Sequence, residues 1–236
     1  LLVFITFILR NILLMKKITT TLFITFIALG AGNMMINAQK KKTSATTEQS
    51  MKNNPFLSKS PLQYQAPEFD KIKDSHFKPA FDFGLKQHSA EIDKIANNPE
   101  KPTFENTIVA MEKSGEVLNR ATIVFYNLTS SNTNPTLQKL EEEYAPIFAS
   151  HSDKIYLNDK LYQRVKSISD AGLDAESKRL LQYYKQNFEI AGAALSAQQK
   201  EQLKQVNQQL AKLETLFSNK LLDARKQGGL LISDVK

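Results

Sequence analysis

A chain of 236 residues is long enough for one large domain or two small ones, and a charged content of 23% with 42% hydrophobic residues is that of an ordinary globular protein. With no cysteine, disulfides, thiolate zinc sites and a lipoprotein anchor are excluded, and eight glycines with no tryptophan lean the composition towards helix. The net charge of +7 is no nucleic-acid signal: residues 1–38 hold Arg10, Lys16, Lys17 and no acid, so leaving them out lowers it by three, to +4. Lys40-Lys41-Lys42 supplies three of those charges, and further on Lys and Glu alternate without forming a basic face.

The first residue is Leu and the first methionine is Met15, so residues 1–14 read as sequence upstream of the true start. Residues 15–38 read as a secretory signal peptide. Met15-Lys16-Lys17 is the positive end, Ile18 to Leu29 the apolar stretch, and Ile36-Asn37-Ala38 the small-residue cleavage site before Gln39. The alternative is a membrane anchor, for which the apolar run after Met15 is short against the roughly 20 residues a span requires. Residues 39–54 are polar and read as a flexible linker, so export to the periplasm with no membrane domain after cleavage is the expectation. From residue 55 to 236 the pattern is that of one helical region.

Pro55, Pro61 and Pro67 forbid a regular helix at its start, and an extended strap laying Phe56, Leu62, Tyr64 and Phe69 on the domain is predicted there. A first helix begins near Ser75, with Pro79 in its opening turn. Phe77, Phe81, Leu85, His88, Ile92 and Ile95 make one face, and Asn97-Asn98-Pro99 ends it. Thr103 caps the next helix, with Asn106 as a weakened capping-box partner. Ile108, Met111 and Leu118 continue a stripe past Gly115, where a bend or a close contact is expected. Ala121, Val124, Phe125 and Leu128 follow.

Asn134-Pro135 is a strong helix start. Leu137, Leu140, Tyr144, Ile147, Phe148 and His151 mark the buried side of that helix, which Pro146 should kink. Asn158 and Asp174 cap two shorter helices. Ser196 and Gln199 form a capping box before the longest helix, in which Leu203, Val206, Leu210, Leu213, Phe217 and Leu221 alternate three and four apart. That seam reads as one side of a packed bundle helix. Gly228-Gly229 breaks it, and Leu230-Leu231-Ile232 reads as a terminal β-strand without a visible partner, as if the sequence stopped in mid-domain.

No catalytic, cofactor-binding or metal-binding residue is assigned. His76, His88 and His151 show no two-ligand helix spacing, and no HExxH occurs. His88 and His151 fall in apolar stripes, which assigns them packing or boundary roles, and His76 reads as an exposed residue near a helix start. Glu141-Glu142-Glu143 near the beginning of a helix is a solvated face favoured by the helix dipole. Asn127-Leu128-Thr129 matches a glycosylation pattern by chance, inside a helix.

An ordered set of short matches nevertheless identifies a family. It includes Asn54-Pro55-Phe56, Ala66-Pro67, Pro79-Ala80-Phe81-Asp82 with Gly84, Asn98-Pro99, Asn106-Thr107-Ile108 and Ser114-Gly115-Glu116. It continues through Thr133-Asn134, Ile155-Tyr156-Leu157-Asn158, Arg164-Val165, Leu173-Asp174, Ala191-Gly192-Ala193, Leu203-Lys204, Leu221-Leu222 and Gly228-Gly229-Leu230. Over residues 54–236 the chain resembles the amino-terminal region of the thimet-oligopeptidase family of zinc metallopeptidases, nearer its bacterial peptidyl-dipeptidases than its oligopeptidase A branch.

The resemblance implies a mainly α fold, the bundle-like half of a two-lobed helical enzyme with a channel between the lobes. It implies zinc held by HExxH and a downstream Glu, oligopeptide substrates, dipeptide release from the carboxyl end, and a monomer. The motif carrying that chemistry lies beyond Lys236 in the family, so the chain alone is expected to bind no zinc and to be inactive, with apolar surface left open. Two rivals remain: an endopeptidase of the oligopeptidase A type, and a standalone helical binding module.

Overall fold

Side-chain caps set most of the helix starts. The computed structural model describes residue 51 and residues 53–228. The expected signal peptide, the segment before it, most of the expected linker and the strand predicted at Leu230-Leu231-Ile232 lie outside those residues. Among the described residues there are helices and turns and no strand.

Helix α1 spans Asp74–Ala96. A π-helical segment, Phe104–Val109, runs on into one α-turn, Ala110–Glu112. Then follow α2 (Glu116–Ser131), α3 (Pro135–Tyr156), α4 (Asp159–Ser167), α5 (Ala175–Ile190) and α6 (Ala197–Gln227). Asn134 accepts from the amides of Thr136 and Leu137 at 2.9 and 3.0 Å, and Asn158 and Asp174 cap α4 and α5 in the same way. Ser196 and Gln199 close their reciprocal box. The Thr103–Asn106 box also closes, at 3.0 and 2.9 Å, but the residues it starts wind as a π-turn where an α-helix is predicted.

The core has two parts. Phe56, Phe77, Phe81, Phe125 and Tyr144 form an aromatic cluster where the first halves of α1 and α3 meet α2. Its rings lie 5.0–6.0 Å apart, largely tilted or edge-on, as aromatic quadrupoles favour. The second part gathers Ile92, Ile95, Ile108, Ile155, Leu161, Val165, Leu181 and Phe188 from the far ends of α1 and α3, the π-segment, α4 and α5. Gly84 marks the tight crossing of α1 and α2, where an added Cβ would sit 2.8 Å from the Leu118 amide nitrogen.

Arg164 knits the second part. Its buried guanidinium donates to the carbonyls of Asn98 and Glu100 at 2.6 and 3.0 Å and to Asn106 Oδ1 at 3.0 Å. The irregular segment before the π-turn thereby has two of its carbonyls satisfied although it belongs to no helix.

Three expectations need correction. The strap buries only Phe56, at 3% exposure, while Tyr64 is 93% exposed and Leu62 and Phe69 are open. Between the prolines the chain forms tight turns, Pro55–Leu57 and Gln63–Gln65, and Tyr64 and Gln65 take left-handed φ values of 56° and 57°. Pro79 lies in the second turn of α1, because the helix starts at Asp74; its missing N–H removes the bond that Ser75 C=O would have received. Beyond Leu203, the apolar seam of α6 does not face α3. Val206, Leu210, Leu213, Phe217 and Leu221 are 43–68% exposed, and the side turned to α3 carries Asn207, Ala211, Thr215 and Asn219.

Candidate functional site

The junction between the two core parts falls in mid-helix on both α1 and α3, and each helix places a histidine there. His88 follows Leu85 and precedes Ile92 on the α1 stripe; His151 holds the same place between Phe148 and Ile155 on α3. Their rings meet, with His151 Nε2 2.9 Å from His88 Nδ1. A cleft of about 890 Å³ opens beside them, lined also by Glu112, Gly115, Tyr126 and Tyr184.

The hydrogen bonds dictate the tautomers. Ser114 Oγ–H donates to the Met111 carbonyl at 2.7 Å, so the same oxygen accepts from His88 Nε2–H at 3.1 Å. His88 Nδ1 is then the acceptor, and His151 Nε2–H the donor to it. His151 Nδ1 is left to accept from Ser89 Oγ across a long 3.5 Å contact. Every proton in the chain runs one way, and both imidazoles are neutral. Burial favours that state: it pushes His151 down to about 4, helped by His88 and Lys154, and it lowers His88 against the opposing pull of Glu91.

Ser114 and His88 stand at the separation of a nucleophile and its base, but the direction is reversed, because the imidazole donates to the hydroxyl. A base would have to accept that proton. The arrangement is a structural brace. Gly115 completes it: φ is +71°, its N–H donates to Glu91 Oε2 at 2.7 Å, and an added Cβ would lie 2.9 Å from the His88 ring. The bend or close contact expected at Gly115 is thus both, a left-handed break with a ring stacked against it.

Tyr184 and Tyr156 of the cleft have raised phenols. Tyr184 donates to Glu112 at 2.6 Å, and burial, then that carboxylate, raises its phenol strongly. The Tyr156 phenol is also raised, first by burial and then by Tyr183 and Glu112.

The other residues singled out in the sequence are scattered. His76 is half-buried rather than exposed, and its Nδ1 accepts from the Lys73 amide at the start of α1. The three glutamates diverge: Glu141 accepts from Thr129, Glu142 from Asn219, and Glu143 pairs with Lys78 at 2.6 Å. Burial raises the Glu141 carboxyl, so only part of the predicted solvated face is solvated. Asn127 lies exposed on α2.

Among the described residues no three His, Cys, Asp or Glu side chains converge on a point that could hold a metal ion. A catalytic zinc takes three protein ligands and a water. The histidine pair spends its facing nitrogens on each other, and Glu91 is held by Gly115 and Gln87. The donor set described does not fit that metal.

No protein-family profile matches the chain. Among curated proteins it is 45% identical over 186 residues to the dipeptidyl carboxypeptidase of Escherichia coli, covering 77% of this chain and 27% of that protein. It is likewise 45% identical over 188 residues to the dipeptidyl carboxypeptidase of Salmonella typhimurium, covering 78% of this chain and 28% of the relative. With the oligopeptidase A of Salmonella typhimurium the identity is 24% over 185 residues. The chain spans about a quarter of the length of the relatives it matches.

Proposed function

We propose, from the premise that this chain belongs to the thimet-oligopeptidase family as a partial-length relative of its dipeptidyl carboxypeptidases, that it is the helical portion of a zinc peptidyl-dipeptidase. The whole enzyme releases dipeptides from the carboxyl ends of oligopeptides. Its zinc, its water and the base that activates the water belong to residues outside this chain; in the sequence given there is no HExxH. The portion present supplies scaffold. Its two-part core, its histidine brace and its buried Arg164 hold helices in place, and none of its side chains handles a proton of the reaction. The polypeptide of 236 residues by itself is inactive. The enzyme is exported behind the signal peptide of residues 15–38, acts in the periplasm as a monomer, and binds no nucleic acid.

The observation that carries the choice is the contrast in identity, 45% to the dipeptidyl carboxypeptidases against 24% to an oligopeptidase A. The test is to express the complete coding sequence and assay paired peptides with free and amidated carboxyl termini. Dipeptide release confined to the free forms is expected. Equal internal cleavage of both forms assigns the oligopeptidase A mode instead, and no cleavage of either supports a binding module. Amino-terminal sequencing of the periplasmic product should begin at Gln39.

A further inference from the structure

Helix α6 is amphipathic the wrong way round for the molecule described. Its inward side is tied down by polar groups: Asn207 donates to Asp153 on α3 at 2.7 Å, and Asn219 to Glu142 at 3.2 Å. Buried Lys200, at the start of the helix, pairs with Asp159 of α4 at 2.5 Å. Its outward side carries Val206, Leu210, Leu213, Phe217 and Leu221, all exposed, in a stripe of about 22 Å at 1.5 Å per residue. Water is a poor neighbour for such a stripe, and five large apolar side chains in one line are more than the scattered singles that surfaces tolerate.

We infer that this stripe is a docking surface for the remainder of the longer polypeptide, the part that makes up about three quarters of the related dipeptidyl carboxypeptidases. Two observations select that occupant. One is size. Five side chains on one face of one helix fall far short of the roughly 20–30 residues a side that hold separate proteins together. A covalently continuous partner avoids most of the association entropy, and its high effective concentration lets a narrow stripe suffice. The other is the polar inner side: α6 is bound to α3 by directional bonds that fix its rotation, so the apolar face is presented outward by construction. The inference rests on the family assignment and not on the reaction proposed above.

The test mixes the 236-residue chain with a separate polypeptide carrying the remaining length of the Escherichia coli relative, zinc being supplied. A photo-crosslinking residue replaces Leu213. Crosslinks from position 213 to the complementing polypeptide are expected. Leu210→Asp with Phe217→Asp should weaken the association at least tenfold, and Ile190→Asp, at an exposed apolar site on α5, should change it less than twofold. Circular dichroism of each variant confirms that the helices persist. Crosslinking only between copies of this chain overturns the inference. So does undiminished binding by the double variant, or no association between two parts that each melt cooperatively. Dipeptide release by the mixture is read separately: association without hydrolysis leaves the docking surface standing and counts against the proposed reaction.

Discussion

Helices α1 and α6 are written in the same code and end in opposite situations. Both carry large apolar residues three and four apart. In α1 the stripe from Phe77 to Ile95 packs against α2, α3 and the π-segment; in α6 the stripe from Val206 to Leu221 lies open while Asn207 and Asn219 bond to α3. Spacing tells which residues share a face. It does not tell what that face meets, and the α6 stripe meets no neighbour among the described residues.

The contrast can be broken at its strong end first. Phe81→Ala removes a fully buried ring that contacts Phe77, Phe125, Tyr144 and Phe148, and should destabilise the fold by about 3–5 kcal/mol in denaturant titration. Arg164→Met keeps the stem but orphans the carbonyls of Asn98 and Glu100, and should lower stability by about 2–4 kcal/mol. Hydrogen exchange in this variant should rise first over residues 97–109.

The junction between the cores predicts a pH dependence. His151 titrates near 6.5 in the unfolded chain and is pushed down to about 4 in the fold, so between those values the unfolded state binds more protons. Stability is therefore full above pH 6.5 and falls as the pH drops towards 4. At about 1.4 kcal/mol per pH unit the loss is at most about 3.5 kcal/mol. The raised Glu141 and Asp153 carboxyls act in the opposite sense and reduce the net slope. His151→Gln should flatten the slope of Tm between pH 6.5 and 4.5; an unchanged slope would dismiss the brace as its source. Gly115→Ala, strained at positive φ and pressed on the His88 ring, should cost about 1–3 kcal/mol. At the weak end, Leu213→Gln on the open stripe should change the stability of this chain by less than about 0.5 kcal/mol.

Much of the fold was legible because caps and stripes are local signals. Asn134-Pro135, Asn158, Asp174 and the Ser196–Gln199 box start helices where they stand in the sequence, and the α1 and α2 stripes are the buried ones. What failed to show was set by long-range partners. The π-turn at Phe104–Val109 coincides with a guanidinium arriving from 58 residues further on, at Asn106. The strap's aromatics read as packing residues by type alone, yet only Phe56 reaches the core. His88 and His151 were each visible as a polar residue in an apolar stripe. Their meeting was not, because it depends on how α1 and α3 cross; the clue available was that both interrupt otherwise apolar runs at mid-helix.

The direct test of a scaffold whose metal centre lies elsewhere in the polypeptide is zinc content measured together with dipeptide release, for the 236-residue chain and for the product of the complete coding sequence. The complete product should carry one zinc and release carboxyl-terminal dipeptides, and the shorter chain should do neither. One zinc per shorter chain with dipeptide release, or a complete product without peptidase activity, would contradict it.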